Sequence, residues 1–323
     1  MDRRAFLSNL ATAAVAMPAG AAAQTTSALF APFETIPLWP GLPPGAPTIL
    51  PTFILREEGS DTRHNRLATG IAQPAMFAVR PANPDGSAVV VVPGGGYADI
   101  SIDNDGFDVA ARLGEAGITA FVLLYRLPGE GWRGAPDVPL ADAQRAIRLI
   151  RANAARFTID ATRTGVLGFS AGGHVAAMLA TRADARVYDA QDEADRLSAR
   201  PSFMGALYPV ITMLAPYAHE ASREMLLGAK PSPALRAAYS CERLVTPAVP
   251  PCFLAAALDD ILVSPANTLE FFASLRATHV PVEMHLFETG GHGFALGGKG
   301  SAVAAWPDLF LRWGMAHGHF RAA

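Results

Sequence analysis

Only two cysteines, Cys241 and Cys252, occur in the 323 residues, so no disulfide framework organises this chain. Cys252 opens the apolar run CFLAAAL and suits a buried thiol, with a Cys241–Cys252 disulfide left open as the alternative in an oxidising compartment. Neither cysteine has the spacing of a zinc site. Charge is sparse as well: 17% of residues are charged and the formal net charge is −3. That balance gives no electrostatic reason to expect nucleic acid as a partner. Past the N-terminus no run approaches the ~18 uninterrupted apolar residues of a membrane helix, so no membrane partner is expected either. Histidines are scattered, and His317-x-His319 reads as part of a solvated tail. The stretch DNDG at 103–106 lacks the closing glutamate of a calcium loop and reads as a helix start. No metal and no cofactor are called for, there is no internal repeat, and oligomeric state is not legible.

The first residues stand apart. MDRRAFLSNLATAAVAMPAGAAAQ carries the pair Arg3-Arg4, a weakly apolar alanine-rich stretch and Ala21-Ala22-Ala23, with no acidic residue after Asp2. This is the pattern of a twin-arginine export signal cut near Ala23. Residues 1–23 are therefore expected to be a signal and 24–323 one domain, acting in the periplasm or outside the cell.

From Thr25 to about Leu55 the chain is proline-rich and reads as an arm over the surface. Strand-like runs follow at AMFAVRP and AVVVVP. Helical stretches then alternate with the strands ITAFVLLY, TGVLGF, CFLAAAL and VEMHLF, with PSFMGALYPVI between the second and third of these. Strands that are apolar throughout, instead of alternating, are covered on both faces. The fold class is therefore α/β, a doubly wound and mostly parallel sheet with helices on both faces and no large cap. In the helix expected from Pro139 to Ala155, Leu140, Ala143, Ile147 and Ile150 share one face, while Arg145, Arg148 and Arg151 read as a solvated face. Asp142, placed in its first turn, reads as structural.

The chemistry is carried by GVLGFSAGG. A Gly-x-Ser-x-Gly pattern alone arises by chance in roughly one such chain in ten, but here TGVLGF is a strand and AGGHVAAMLA a helix. That context makes Ser170 the apex of a nucleophile elbow, at the positive end of the following helix. Asp259-Asp260 stand at the end of CFLAAAL, and ETGGHGF places His292 in a glycine-rich loop one helix and one strand later. The order Ser, Asp, His is that of an α/β-hydrolase triad. Asp259 is taken as the acid because it comes first after the strand, leaving Asp260 to cap or orient the loop. In VVVVPGGGY, a strand ending in Gly94-Gly95-Gly96 offers unobstructed backbone N–H groups for an oxyanion hole, and Ala171 N–H supplies the other half. The P-loop alternative lacks the lysine and the serine or threonine it needs. Tyr97 and Tyr208 suit either a pocket lining or strand ends with hydroxyls in water. His174 reads as a packed, hydrogen-bonded residue. The irregular stretch from Thr212 to Pro250 suits a small lid.

Together LWPG, PGGGY, TAFVLLYRLP, PLADAQRAIRLIR, GVLGFSAGGHVAA, LDDILVSPANTLEFFASL and PVEMHLFETGGHGF resemble the acetylxylan-esterase and feruloyl-esterase-like α/β-hydrolases called BD-FAE, from about Leu38 to Trp313. The resemblance implies a serine ester hydrolase that works through an acyl-enzyme, with Ser170 as nucleophile, Asp259 as acid, His292 as base and Gly95, Gly96 and Ala171 as oxyanion donors. Its implied substrate is a small-molecule or oligosaccharide ester, with deacetylation of xylan or related sugars as the first expectation. Feruloyl or aryl esters are the alternative, and a prolyl-oligopeptidase-like peptidase is more distant. Pro93, where a histidine often precedes the glycines, favours the carbohydrate-esterase branch. DILVSP departs from the commoner DPVVPV and bears on the choice of acid.

Overall fold

A computed structural model describes residues 28–60 and 63–321; the expected export signal lies outside the described residues. In chain order the strands are β1 (Glu34–Pro37), β2 (Ile54–Ser60), β3 (Arg63–Thr69), β4 (Ala75–Val79), β5 (Ala88–Val92), β6 (Ile100–Ser101), β7 (Thr119–Leu124), β8 (Thr164–Phe169), β9 (Met204–Leu207), β10 (Cys252–Ala257) and β11 (Val282–Phe287). The helices are α1 (Asp108–Glu115), α2 (Val138–Ala152), α3 (Ala154–Phe157), α4 (Ala171–Thr181), α5 (Glu220–Leu227), α6 (Pro233–Ala238), α7 (Ala266–Ala277) and α8 (Trp306–Ala316).

Among the described residues, eight strands form one sheet in the order β1-β4-β7-β5-β8-β9-β10-β11. β1, β4 and β7 pair antiparallel; every pairing from β7 across to β11 is parallel. The central strands β5, β7, β8, β9 and β10 are buried along their whole length, as continuous apolar runs covered on both faces must be. From β5 the chain passes first to β7 on one side and later to β8 on the other. The crevice at the C-terminal ends of β5 and β8 is thus the switch point where doubly wound sheets bind ligands.

The proline-rich arm is more than a surface wrap. Its Glu34–Pro37 pairs with Ala75–Val79 as an edge strand, and Phe30, Leu38 and Trp39 are buried. A four-residue strand between Pro32 and Pro40 is too short to show an alternating pattern. β2, β3 and β6 form a separate antiparallel sheet. Its strands ILREEGS and RHNRLAT are too polar to read as strands, and Arg66 of β3 grips Asp103 through side chain and backbone. The DNDG stretch is a π-helical turn, Asp103–Phe107, leading directly into α1, so the expected helix start holds.

Helix α2 corrects two expectations. It begins at Val138, which puts Asp142 beyond the first turn. Its arginines are not a solvated face: Arg145 is buried, donates from Nε to the Leu38 carbonyl at 2.8 Å and pairs with Asp192 and Asp195. Asp142 is fully buried, accepting from Arg126 Nη2 at 2.8 Å, Arg126 backbone N at 2.9 Å and Trp39 Nε1 at 2.8 Å. Long side chains that reach polar partners across the fold give the same sequence pattern as exposed ones. At the other end of the chain, the ring of His319 packs against Phe203, its centroid 4.5 Å away, so this histidine is not a solvated tail.

The Arg126–Asp142 pair has no solvent on either side, and removing one partner strands the other charge in the interior. Asp142→Ala is expected to cost about 3–5 kcal/mol of unfolding free energy in urea titration. A loss below about 1 kcal/mol would contradict a structural role for this carboxylate.

Candidate active site

The sharp turn from β8 into α4 is made possible by close backbone approach. A Cβ on Gly168 would lie 2.2 Å from the Gly172 carbonyl oxygen, and one on Gly172 would lie 2.1 Å from that of Val92. Between them Ser170 adopts φ 51° and ψ −117°, a conformation that costs about 1–3 kcal/mol and persists only where neighbours over-determine it. They do so here: Ser170 N donates to Leu207 O at 3.1 Å, and Ser170 O accepts from His174 N at 3.3 Å and Val210 N at 3.0 Å.

Ser170 Oγ lies 2.8 Å from His292 Nε2, and His292 Nδ1 lies 2.7 Å from Asp260 Oδ2. The carboxylate accepts, so Nδ1 carries the proton and the neutral ring leaves Nε2 open to the serine hydroxyl. This corrects the expected acid, since the ring meets Asp260 and not Asp259. A turn after β10, with Asp260 N donating to Ala257 O, carries Leu258 and Asp259 outward. Asp259 is fully exposed, and its Oδ1 accepts from Gly291 N at 2.7 Å, which holds its carboxyl below the usual range. Asp260 is buried, and its Oδ1 accepts from Leu262 N and Val263 N, both at 2.9 Å. Loop capping and imidazole orientation, expected on two aspartates, are thus done by the two oxygens of one.

The turn after β5 passes beside the nucleophile: a Cβ on Gly94 would lie 3.0 Å from Ser170 Cβ. Gly95 has φ +127°, and a Cβ there would lie 2.1 Å from the Asp99 carbonyl oxygen, so only glycine fits. Ala171 is the first residue of α4, where no carbonyl of its own helix receives its N–H. Gly94, at the start of the glycine turn, and Ala171, next in the chain, thus stand beside Ser170.

Sequence reading missed what fixes this turn. Tyr125 hydroxyl donates to Pro93 O at 3.0 Å, and Gly94 N donates to Asp105 Oδ2 at 3.2 Å. Tyr97, at φ 64°, bonds through its hydroxyl to His174 Nδ1 at 2.7 Å. His174 Nε2 faces Tyr239 O at 2.8 Å. A carbonyl only accepts, so Nε2 is protonated and Nδ1 accepts the Tyr97 proton. Burial pulls the His174 pKa down to about 4, which keeps this neutral tautomer in place. Tyr208 hydroxyl donates to Asp105 Oδ1 at 2.8 Å and accepts from Ala295 N at 3.2 Å, while its ring packs edge-on against His292. Neither tyrosine has its hydroxyl in water. The aspartate of DNDG and the histidine one turn past Ser170 were visible as residues, but their partners are 11 to 103 positions away and left no local signal.

The stretch from Thr212 to Pro250 carries α5 and α6, and α5 lies over the glycine turn with Ser222 Oγ 3.8 Å from the Cβ position of Gly96. Both cysteines are buried free thiols. A separate cavity of about 720 Å³ lies between the Asp103–Asp108 turn and the loop after His292, lined by His64, Asp108, Phe294 and Ser301 among others; neither Ser170 nor His292 lines it. Among the described residues no group of three or more potential ligands gathers to hold a metal ion, and no helix is long and apolar enough to cross a membrane.

Comparison with known proteins agrees with this architecture. The chain is 32% identical over 226 residues to an acetylxylan esterase of Xylanibacter ruminicola, covering 69% of this chain and 44% of that protein. It is 35% identical over 208 residues to endo-1,4-beta-xylanase B of Butyrivibrio fibrisolvens, covering 64% of this chain and 32% of the other. The chain thus spans less than half the length of these two relatives. The crystal structure of an acetyl ester-xyloside bifunctional hydrolase from Caldicellulosiruptor lactoaceticus superposes with a TM-score of 0.71 at 33% identity, covering 89% of this chain and 97% of that one. The fold is that of the α/β-hydrolases. The BD-FAE family profile matches residues 79–275, a span containing the elbow, the glycine turn and Asp260, and the chain belongs to that family.

Proposed function

We propose that this protein is a serine carboxylic-ester hydrolase that removes acetyl groups from xylan or related acetylated sugars. The observation that carries this reading is the unbroken hydrogen-bonded line from Ser170 Oγ through His292 to buried Asp260. In this reading Ser170 Oγ attacks the ester carbonyl while its proton passes to His292 Nε2, and Asp260 stabilises the imidazolium from Nδ1. The oxyanion is received by the N–H of Ala171 and by the turn at Gly95 and Gly96. His292 then protonates the departing alcohol, and the acetyl-enzyme is cleared when the same imidazole activates a water. The residues supply acid, base, nucleophile and anion stabilisation, so the cycle calls for no cofactor. Similarity to an acetylxylan esterase supports acetylated carbohydrate as the substrate class. We further read residues 1–23 as a twin-arginine signal and 24–323 as one domain, working in the periplasm or outside the cell.

Ser170→Ala is expected to lower kcat for acetylated xylan by roughly six orders of magnitude and Asp260→Asn by roughly four. Asp259→Asn keeps an acceptor oxygen for Gly291 and is expected to stay within about threefold of wild type. Equal losses at 259 and 260, or an active Ser170→Ala protein, would sink the proposed roles. Release of ferulate from methyl ferulate faster than acetate from acetylated xylan would replace the substrate assignment.

His174 yields a pH prediction. The unfolded chain binds a proton at this ring near its ordinary value of 6.5, the folded protein only near 4. Its contribution is intact above pH 6.5 and declines by about 3 kcal/mol as the pH falls to 4. Unfolding free energies of wild type and His174→Gln, measured in urea from pH 7 to 4.5, should therefore converge with acid by about 2–3 kcal/mol. A gap that does not change with pH would contradict a buried neutral ring.

A further inference from the structure

The relay and the oxyanion turn leave unexplained a second serine–histidine pair at the same site. His219 Nδ1 lies 2.8 Å from Ser222 Oγ, and Ser222 sits over the glycine turn, 3.8 Å from where a Cβ on Gly96 would be. His219 immediately precedes α5, and Ser222 lies in its first turn. Asn267 of α7 holds the approach to this segment, donating to Tyr217 O at 2.9 Å and accepting from Ile211 N and Thr212 N. Burial lowers the pKa of this ring, and the Asp260 carboxylate acts on it in the opposite sense.

The direction of the bond follows from burial. Ser222 has no solvent contact, so a hydroxyl proton pointing anywhere but at Nδ1 would be stranded. Ser222 therefore donates to Nδ1, and the proton of the neutral ring sits on Nε2. Among the described residues Nε2 has no hydrogen-bond partner, and His219 is only half-buried. The pair thus offers one N–H donor on the segment that covers the glycine turn.

An acetyl group offers a single acceptor, its carbonyl oxygen, which the backbone N–H groups already serve. Every further acceptor on an acetylated sugar is on the alcohol side, as hydroxyl or ring oxygens flanking the ester. We propose that His219, held by Ser222, is a specificity-determining residue whose Nε2–H binds a sugar oxygen on the alcohol side of the ester, selecting acetylated polyols over alkyl or aryl acetates. This rests on the ester-hydrolase reading above. One such bond is worth roughly tenfold to a hundredfold in discrimination.

The test compares kcat/KM for an acetylated xylo-oligosaccharide and for p-nitrophenyl acetate, which has no sugar oxygens. Wild type is measured first: a protein active on the aryl ester but inert toward the sugar ester overturns the carbohydrate reading and this inference with it. With the wild-type ratio in hand, His219→Phe should lower the sugar-to-aryl ratio roughly tenfold to a hundredfold, mainly through KM. His219→Gln, which restores an N–H donor, should recover part of that ratio, and Ser222→Ala, which frees the ring, should lower it by a smaller factor. The aryl ester reports correctly folded enzyme in each preparation. If His219→Phe does not fold, the Gln and Ala variants still carry the test. A ratio unchanged in the variants, equal loss on both esters, or a Gln variant no better than Phe would overturn the role of His219 while leaving the hydrolase reading untouched.

Discussion

The chemistry at this sheet edge depends on how closely the first turn of α4 approaches the ends of β5 and β8. With side chains at 168 and 172 the backbone would have to separate by more than an ångström, because the added carbons would sit 2.1–2.2 Å from carbonyl oxygens. Separation would release Ser170 from its left-handed conformation and take its hydroxyl away from His292. Strain at one residue is sustained because three backbone hydrogen bonds, to Leu207, His174 and Val210, converge on it. The elbow is therefore a packing solution first, and the placing of a hydroxyl against His292 at the sheet's C-terminal edge is its consequence.

The opposite wall is stabilised differently. The glycine turn has little side-chain mass of its own, so buried polar groups behind it do the fixing: Tyr125 at Pro93, Asp105 at Gly94 and His174 at Tyr97. Asp105 is in turn bonded to Tyr208, whose hydroxyl also receives Ala295 N from the loop that carries His292. Glycine turn and histidine loop are thereby joined through one buried carboxylate and one phenol. Donors fixed before the substrate arrives need no reorganisation when charge develops, which is the condition for strong electrostatic stabilisation.

How much of this was legible depended on the range of the interactions. The sheet could be read because β5, β7, β8 and β10 are continuous apolar runs, and the elbow because its glycines and serine are contiguous. His292 was found from its glycine-rich loop and its place in chain order after Ser170. The choice of Asp259 failed because order along the chain does not say which of two adjacent residues a turn brings inward; only the bond that closes the turn at Ala257 decides it. Arg145 misled for the opposite reason. A helix wheel sorts residues by face, but a buried face can be charged when partners from the N-terminal arm and from residues 126 and 192–195 neutralise it. The strands β2 and β3 were missed because their polar sequences carry no apolar run.

The same contrast divides labour within the site. Ser170, His292, Asp260 and the glycine turn all sit at strand ends or in the turns and loops after them, where the parallel ladder sets their separations. Ser222 and His219 come instead from the irregular stretch between β9 and β10, tied down by a few side-chain bonds such as those of Asn267. A segment fixed by a few side-chain bonds tolerates substitution and change of length better than a strand end whose every backbone group is paired. Residues 212–250 can therefore vary without disturbing the 2.8 Å and 2.7 Å bonds that link Ser170, His292 and Asp260.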